Sequence, residues 1–378
     1  MLLLLGDSHP VGPAASDGGQ ADLLDRRNSI EYSLSTNMAE KASVLLVGGG
    51  SVGAIAALNL EVGNQAAVTI VCRSNYQAVK DNGYNIRSCD HGTIECWKPG
   101  EVVNTVPKTD RNGRPFDYVV CVTKNVADVP PPLTDLIRPA VANETVIVLI
   151  QNGLNIERPM FAAFPANVVL SGVSMIGASE SRPGEVEQGF NDILYIGPFR
   201  NPSLDAEKER SAAQTFVKIY GAGGKTQCEY NADVGWTRWR KLVYNACLNP
   251  ICAITDLDTG RIRLAEGAVE GLVRPAMKEI IATAQASGYH LPPTIADDMI
   301  NMDPLDLYLP PSMLQDLRKD NYIEYETILG EPLREGEKLG VPMPTLRVLY
   351  HLCQAIQWKN KEARGLVSVP PRGDFTAS

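Results

Sequence analysis

A lysine and two asparagines recur at helical spacing in the segment from Trp239 to Pro250. Lys241, Asn245 and Asn249 are four residues apart, so on one continuous helix they form a single polar stripe. Apolar residues surround this stripe, whereas a solvated helix face would carry more charge. One ammonium group and two amides on an apolar helix suit a small polar cleft. Pro250 predicts that the helix ends or kinks just beyond Asn249.

The second candidate site is a glycine-rich turn, Gly48-Gly49-Gly50-Ser51-Val52-Gly53, between an apolar run and an alanine-rich helical stretch. In that context Gly48 allows a tight turn, Gly50 lets a pyrophosphate approach the backbone, and Gly53 lets helix pack closely on strand. The helix N-terminus attracts the phosphates. A turn that binds nothing is the alternative, but strand, spacing and helix together favour a bound dinucleotide.

The end of the next predicted strand distinguishes between NAD and NADP. An Asp or Glu there would bond the ribose 2′-hydroxyl of NAD, but this sequence has Arg73-Ser74-Asn75. A guanidinium beside a hydroxyl and an amide suits a 2′-phosphate. A solvated surface arginine is the alternative. Because no acid occupies the strand end, the sequence favours NADPH/NADP as the cofactor.

The elements that must position these residues change in type along the chain. Apolar, β-branched runs alternate with helical stretches in the first part, and they lie at 44–47, 68–72, 118–122, 145–150 and 168–172. Such runs predict a parallel sheet covered on both faces. Beyond about residue 230 helical periodicity dominates, over 234–253, 266–286, 312–340 and 346–361. We therefore expect an α/β chain, with an N-terminal Rossmann-type doubly wound parallel sheet and a C-terminal all-helical domain.

A chain of 378 residues is long enough for two or three domains. We expect a disordered extension over 1–38, an NADP-binding domain over 39–230, a helical catalytic domain over 231–364 and a flexible tail over 365–378. Met38 is a candidate start of the natural protein. Because the glycines and Lys241 fall on different domains, the site should be a cleft between them, with hinge closure on binding.

Composition narrows the partners. The net charge of −9, with acids and bases mixed, argues against nucleic acid or an anionic membrane surface as the main partner. Eight cysteines without a CxxC pair and only four histidines indicate no metal site. Neither a signal peptide nor a membrane span is recognisable, so we expect a cytoplasmic protein. A homodimer is a possible assembly that the sequence does not decide.

Several short stretches, taken together, resemble the ketopantoate reductase family (2-dehydropantoate 2-reductases). They are spread in the family's order over roughly residues 42–360, which is more specific than any one motif. The matching stretches are the fingerprint at 48–53, Val122-Thr123-Lys124, Gln151-Asn152-Gly153, residues 172–178, the Trp-Arg-Lys-Leu…Asn…Asn-Pro segment at 239–250, and Ser312-Met313-Leu314-Gln315-Asp316. The family couples a Rossmann domain to a helical domain, in agreement with the expected fold.

The resemblance implies the chemistry of the site. Lys241 falls on the family's general acid, which protonates the carbonyl oxygen of a 2-keto acid during NADPH-dependent reduction and stabilises the developing alkoxide. Glu324 matches the family's active-site glutamate. Asn152, at the end of one strand, would contact the nicotinamide side of the cofactor, and Lys124, at the end of another, would face the cofactor or the substrate. Without the resemblance, Lys124 could equally be a plain surface lysine.

The resemblance also implies the substrate contacts. Asn245 and Asn249 would bind the substrate, and Ser312 its carboxylate at a helix N-terminus. Ser312 also begins an S-x-x-Q capping box with Gln315, which is a purely structural alternative. Along one helix, the twelve residues from Ser312 to Glu324 span about 18 Å, too far for both to contact one small acid. The helix should therefore break, and residues 319–321 are the expected place.

Two departures from the family pattern bear on the substrate. The family usually has Thr-Glu-Ile-Asp around the glutamate, where this chain has Ile323-Glu324-Tyr325-Glu326. Where the family often has a further substrate asparagine before a glycine, this chain has Thr259. We expect reduction of 2-dehydropantoate to pantoate, toward pantothenate and coenzyme A. The alternatives are a paralogue that reduces another branched or aromatic 2-keto acid, and a non-catalytic NADP-binding sensor.

Overall fold

The computed structural model describes residues 40–371. The predicted extension at 1–38 lies outside these residues, as do residues 372–378 of the predicted tail. Residues 365–371 follow the last helix without regular secondary structure. Between residues 40 and 371, no helix combines the length and the apolar character needed to span a bilayer.

The first part of the described chain carries the β structure. Its strands are β1 (Ala42–Val47), β2 (Ala66–Val71), β3 (Tyr84–Ser88), β4 (Gly92–Trp97), β5 (Glu101–Val103), β6 (Tyr118–Cys121), β7 (Val146–Leu149), β8 (Val169–Ser174), β9 (Gly177–Arg182), β10 (Glu185–Phe190), β11 (Ile193–Pro198) and β12 (Gln227–Tyr230). The five predicted strands correspond to β1, β2, β6, β7 and β8, each shifted by no more than two residues at either end.

Helices lie between many of these strands, and after Tyr230 the regular elements of the described chain are all helices or helical turns. They are α1 (Ser51–Val62), α2 (Tyr76–Asn82), α3 (Leu133–Ile137), α4 (Arg158–Ala163), α5 (Ala206–Gly221), α6 (Val234–Asn245), α7 (Leu248–Thr255), α8 (Thr259–Leu264), α9 (Arg274–Ala286), α10 (Ile295–Ile300), α11 (Ser312–Arg318), α12 (Glu331–Lys338) and α13 (Pro344–Ala363). Short 3-10 turns lie at Arg138–Ala140 and Leu305–Leu307, and π-helical turns at Val269–Val273 and Glu326–Gly330.

Eight strands form one sheet in the order β12-β11-β8-β7-β6-β1-β2-β5, and β11 pairs antiparallel with β8 while the other pairs are parallel. Alternate residues of β1 enter separate cores. Val44 and Leu46 pack in the cluster that includes residues of α1 and α5, whereas Leu45 and Val47 pack with residues of α3 and α4. The sheet is thus covered on both faces, and the predicted fold class is confirmed.

A second, four-stranded sheet in the order β4-β3-β10-β9 was not predicted. Its strands are largely half-exposed or exposed and carry many polar residues, in contrast to the apolar β1. A search for continuous apolar runs therefore does not find them. This sheet contacts α1 and forms one wall of the cleft described below.

The predicted helix over 234–253 is wrong in one respect. It ends at Asn245, and a new helix begins at Leu248, so Lys241 and Asn249 lie on two helices instead of one stripe. Pro250 explains the position of the break, because its ring clashes with the carbonyl four residues earlier, at Ala246. The break thus falls one turn before the proline and not after it.

The predicted break between Ser312 and Glu324 is confirmed. Helix α11 ends at Arg318, and Asp320 follows with φ of 53°, in the left-handed region. Residues 321–324 are irregular, and Glu324 directly precedes the turn that leads into Glu326–Gly330. The chain therefore doubles back, and Glu324 faces the same cleft as Ser312.

Candidate active site

The carboxyl ends of the central strands meet at one edge of the large sheet. Val47 pairs with Val71 and Cys121, and Cys121 pairs with Leu149. The residues that follow these strands open into a cleft of about 1350 Å3, whose other walls are the second sheet, α6 and α11. Fourteen predicted site residues line this cleft, namely Gly48, Gly49, Gly50, Ser51, Val52, Gly53, Arg73, Lys124, Asn152, Lys241, Asn245, Asn249, Ser312 and Glu324.

The structure of the glycine-rich turn explains the glycines at positions 48, 50 and 53. Gly48 has φ of +117°, which L side chains rarely adopt. A Cβ on Gly53 would lie 1.8 Å from the carbonyl oxygen of Gly48, so only glycine lets α1 pack against the turn. A Cβ on Gly50 would meet no atom within 4 Å. The space beside Gly50 is open, and the first turn of α1 contains no acid.

Two side chains bond the glycine-rich turn: Asn75, which follows β2, and Tyr84 on β3 of the second sheet. Asn75 Nδ2 donates to the carbonyl of Gly49 at 2.6 Å, and the Tyr84 hydroxyl donates to the same carbonyl at 2.7 Å. Asn75 also donates to Glu180 on β9 at 2.9 Å. The sequence indicated Asn75 as a neighbour of Arg73 but gave no sign of Tyr84 or Glu180, because their strands were not predicted.

Arg73 is exposed at the cleft and has no hydrogen bond or ion pair to any side chain within residues 40–371. Its guanidinium is therefore available to an anionic ligand at the end of β2.

Lys241 reaches from α6 to the sheet edge. Its Nζ donates to Oδ1 of Asn152 at 2.8 Å and also to the carbonyl of Ser174 at the end of β8. Burial is the main cause that lowers the pKa of Lys241 to about 8, and the charge of Arg238 lowers it further. The ammonium group is thus a much stronger acid than an ordinary lysine.

Glu324 is only 4% exposed and is fixed from the sheet side. Its Oε1 accepts from the backbone N–H of Asn125 at 2.8 Å, and its Oε2 accepts from Asn152 Nδ2 at 3.5 Å. Lys124 Nζ lies 3.7 Å from Oε2 of Glu324 and donates to Asp316 at 2.7 Å. Burial opposes the charge of Lys124, but the two carboxylates outweigh it and raise its pKa.

Asp316 was part of a matching stretch, but the sequence gave it no role. It is buried on α11, and burial raises its pKa while the ammonium of Lys124 opposes the shift. Its spacing of four residues from Ser312 places both on one side of α11. This spacing is the feature of the sequence from which Asp316 could have been predicted as a site residue.

Asn245 and Asn249, the two predicted substrate ligands, take up different positions. Asn249 is 1% exposed, and its Nδ2 donates to the Ser312 hydroxyl at 3.4 Å. Asn245 lines the cleft one turn after Lys241, on the same helix. Despite the break between α6 and α7, Asn249 and Ser312 therefore meet at the cleft.

The capping-box interpretation of Ser312 is wrong. Ser312 is the first residue of α11, Pro311 precedes it as the cap, and no side chain caps this helix. Gln315 Nε2 instead donates to the carbonyl of Pro310 at 2.8 Å. The Ser312 hydroxyl is therefore free of a capping role.

Thr259 is the one predicted residue that the structure does not bring to the cleft. It is 5% exposed, and its hydroxyl donates to the carbonyl of Leu309 at 3.2 Å. Asp258, immediately before it, caps α8, which fixes Thr259 in the first helical turn. Thr259 thus stabilises the segment that leads to Ser312 without lining the cleft itself.

Within residues 40–371, no group of three or more His, Cys, Asp or Glu side chains is arranged to hold a metal ion. The polar groups of the cleft pair with one another instead, as the contacts of Lys124 show.

Comparison with known proteins places this fold and site in a family. Residues 44–201 match the family described as ketopantoate reductase PanE/ApbA, and residues 233–357 match its C-terminal part. The chain therefore belongs to the ketopantoate reductase family, and the resemblance inferred from the sequence is confirmed. Membership of this family indicates an oxidoreductase.

Two relatives span almost the whole described chain. The Saccharomyces cerevisiae protein named uncharacterized protein YDL144C is 34% identical over 351 residues, which is 86% of this chain and 96% of the relative. A 2-dehydropantoate 2-reductase from a Nostoc species is 23% identical over 321 residues, which is 84% of this chain and 95% of the relative.

Solved structures show the same architecture. The 2-dehydropantoate 2-reductase from Methylococcus capsulatus superposes with a TM-score of 0.70 at 31% identity and covers 84% of this chain and 97% of its own. A D-mandelate dehydrogenase, solved with NADH and anilino(oxo)acetate, has a TM-score of 0.71 at 20% identity and covers 84% of this chain and 99% of its own. At that identity the second likeness is one of fold alone.

Proposed function

We propose that this chain is an NADPH-dependent reductase of 2-keto acids, with 2-dehydropantoate as its first candidate substrate and pantoate, a precursor of pantothenate and coenzyme A, as the product. The observation that carries the proposal is the position of Lys241. Its acidic ammonium group is held at the strand edge that also carries the glycine-rich turn.

The cleft fits the cofactor that the family implies. The open space beside Gly50 and the acid-free start of α1 suit a pyrophosphate, and Arg73, which pairs with no side chain of residues 40–371, suits a 2′-phosphate. Lys124 and Asn152 would contact the nicotinamide side of the cofactor. When bound, NADPH supplies the hydride. The structures of D-mandelate dehydrogenase contain NADH, so the preference for NADPH rests here on Arg73.

Lys241 would supply the proton. A pKa of about 8 keeps the ammonium protonated at neutral pH while making it a better acid than an ordinary lysine. Its two acceptors, Asn152 and the Ser174 carbonyl, hold Nζ at the cleft wall. The same positive charge would stabilise the alkoxide that forms as the carbonyl is reduced.

Glu324 would act with Lys241 as the second charged group of the site. Its carboxylate is fixed by Asn125 and Asn152, and its charge opposes the loss of the proton from Lys241. Asn245, Asn249 and Ser312 would bind the substrate, with the Ser312 hydroxyl and the Asn249 amide on its carboxylate. Thr259 would act only through the segment it supports.

A 2-keto acid other than dehydropantoate is the alternative substrate. Thr259 stands where the family often has a substrate asparagine and does not line the cleft, so that contact to the substrate would be missing. The homodimer stays a prediction; the Staphylococcus aureus ketopantoate reductase is described as dimeric.

Steady-state assays over a panel of 2-keto acids, run with NADPH and NADH in parallel, test the proposal. We expect the highest kcat/KM for dehydropantoate and a preference for NADPH. A higher kcat/KM for a branched or aromatic 2-keto acid would show that dehydropantoate is not the preferred substrate, but the proposed reaction, NADPH-dependent reduction of a 2-keto acid, would stand. Binding of NADPH without turnover of any 2-keto acid would instead favour the non-catalytic sensor.

A further inference from the structure

Arg238 is a buried cation one turn before Lys241 on α6. It is 4% exposed and does not line the large cleft. Residues three apart on a helix lie on the same side, so Arg238 and Lys241 both point toward the ends of β7 and β8. Neither the sequence nor the family resemblance assigned Arg238 a role.

The guanidinium of Arg238 holds the backbone on both sides of Asn152. Nη1 donates to the carbonyl of Gln151 at 2.9 Å and to the carbonyl of Gly153 at 2.8 Å. Nη2 donates to the Ser171 hydroxyl on β8 at 2.7 Å. The two peptide carbonyls that flank Asn152 are therefore fixed by one rigid, planar group.

The segment held in this way has little freedom of its own. Gly153 has φ of +99°, and a Cβ there would lie 2.4 Å from the side chain of Thr327. Asn152 sits between the two bonded carbonyls and presents Oδ1 to Lys241. One helix thus fixes the Asn152 backbone through Arg238 and contacts its side chain through Lys241.

We propose that Arg238 is a positioning residue of the reduction: it holds the Gln151–Gly153 segment so that Asn152 keeps the ammonium group of Lys241 in place. This inference rests on the proposed function, because a positioned ammonium matters for the rate only if Lys241 delivers the proton. Arg238 itself does not line the large cleft; it lines only a small cavity behind it, together with Asn152 and Lys241.

The charge of Arg238 adds a second effect. Burial lowers the pKa of Arg238 to about 10, so its guanidinium stays charged at neutral pH. Within the part of the chain that the structure describes, Glu157 is the carboxylate whose charge acts on Arg238, and it opposes the lowering of the pKa of Arg238. The charged groups that act on Lys241 are Arg238 and Lys124, which favour loss of its proton, and Glu324, which opposes it.

Two substitutions separate position from charge. Arg238→Lys keeps a cation, but its one nitrogen cannot take the places of both Nη1, which bonds the carbonyls of Gln151 and Gly153, and Nη2, which bonds the Ser171 hydroxyl. Arg238→Met removes both the contact and the charge at similar length. Arg200→Met is the matched control, because Arg200 pairs with the buried Glu209 and lies outside the cleft.

Three measurements are made on each full-length variant: the melting temperature, kcat and KM against pH, and the pH dependence with which an amine-reactive reagent labels Lys241, followed by mass spectrometry. The labelling needs neither substrate nor NADPH. It therefore reports on Lys241 even if the wild-type protein reduces no 2-keto acid, in which case the proposed function fails separately.

We expect both Arg238 variants to lose kcat by up to about 100-fold with little change in KM, because a displacement of about 1 Å is enough for such a loss. In Arg238→Met the labelling midpoint and the alkaline limb of kcat should also move to higher pH. In Arg238→Lys the midpoint should stay nearer that of the wild type. Arg200→Met should lower the melting temperature alone.

The inference is overturned if Arg238→Lys and Arg238→Met fold and keep the wild-type kcat and labelling midpoint. It is also overturned if they lose kcat only in proportion to a loss of folded protein, as judged against Arg200→Met. If Arg238→Met does not fold, the kcat of Arg238→Lys decides, and Ser171→Ala, which removes the acceptor of Nη2, should show a smaller loss in the same direction.

Discussion

Nζ of Lys241 lies 2.8 Å from Oδ1 of Asn152, so that a side chain from helix α6 meets a side chain that follows strand β7. This contact joins the helical part of the chain to the sheet edge that carries the glycine-rich turn. The same asparagine donates to Glu324 at 3.5 Å. The three residues therefore form one connected polar unit, although they are far apart in the sequence.

Lys241 should cost the protein stability. Its pKa is lowered from an ordinary value of 10.5 to about 8, so between these values the unfolded chain binds more protons and stability rises with pH. Lys241→Met removes this cost and should be more stable than the wild type at neutral pH, by on the order of 1–3 kcal/mol. Urea unfolding at several pH values measures the difference, which should shrink as the pH rises from about 8 toward 10. If Lys241→Met is less stable than the wild type at every pH, burial of the Lys241 ammonium group does not cost the protein stability.

Substitution of Gly50 and of Gly53 by alanine should have different effects on NADPH binding and on stability. A Cβ on Gly50 meets no protein atom within 4 Å, so Gly50→Ala should melt like the wild type but bind NADPH at least about 10-fold more weakly. A Cβ on Gly53 collides with the Gly48 carbonyl at 1.8 Å, so Gly53→Ala should lose stability as well. Fluorescence titration with NADPH and thermal melting give the two quantities.

Gly271→Ala is the control for this pair, because Gly271 also has open space around its Cβ position and lies outside the cleft. It should leave both quantities unchanged. Unchanged NADPH affinity in Gly50→Ala would mean that the cofactor does not pass over this turn.

Arg73 should select the cofactor. It is exposed and unpaired within residues 40–371, so Arg73→Ala should keep its stability while the KM for NADPH rises roughly 10- to 100-fold. The KM for NADH should change little, since NADH has no 2′-phosphate. Arg210→Ala, which removes an exposed arginine paired with Glu207 on α5, is the comparison variant. An equal rise in both KM values would show that Arg73 does not recognise the 2′-phosphate.

Ser312 and Thr259 should differ in their effect on the substrate. The Ser312 hydroxyl lies at the cleft beside Asn249, so Ser312→Ala should raise the KM for the 2-keto acid by about 10-fold. Thr259→Val should leave KM nearly unchanged and cost about 1 kcal/mol of stability or less, because its hydroxyl bonds the Leu309 carbonyl and Thr259 does not line the cleft. A large KM effect in Thr259→Val would restore it as a substrate ligand.

The five adjacent strands β1, β2, β6, β7 and β8 of the large sheet were predictable because they are largely buried and therefore read as continuous apolar runs, as Val44–Val47 does. Its flanking strands β5, β11 and β12 were not predicted. The second sheet was not, since β4 and β9 are half-exposed and polar and gain their order from neighbouring strands. The break before Leu248 was misplaced by one turn, although the clash that Pro250 causes is local and points to Ala246.

The site residues could be selected by type and spacing, but not their partners. Strand ends at one sheet edge bring Gly48, Lys124 and Asn152 together by topology alone. The bonds of Arg238 to the Gln151 and Gly153 carbonyls depend on how α6 packs on the sheet, which no local pattern encodes. The burial that makes Lys241 acidic arises from the same packing.

The most direct test of the account is the rate of NADPH oxidation with dehydropantoate and the other 2-keto acids, compared between the wild type and Lys241→Met from neutral pH to about pH 10. Lys338→Met, at an exposed lysine on α12, is the control. The role of Lys241 as the general acid predicts that wild-type kcat falls above about pH 8, as the acid loses its proton, and that Lys241→Met loses kcat by about 100- to 10,000-fold while still binding NADPH. Turnover by Lys241→Met at the wild-type rate, with the same dependence on pH, would contradict it.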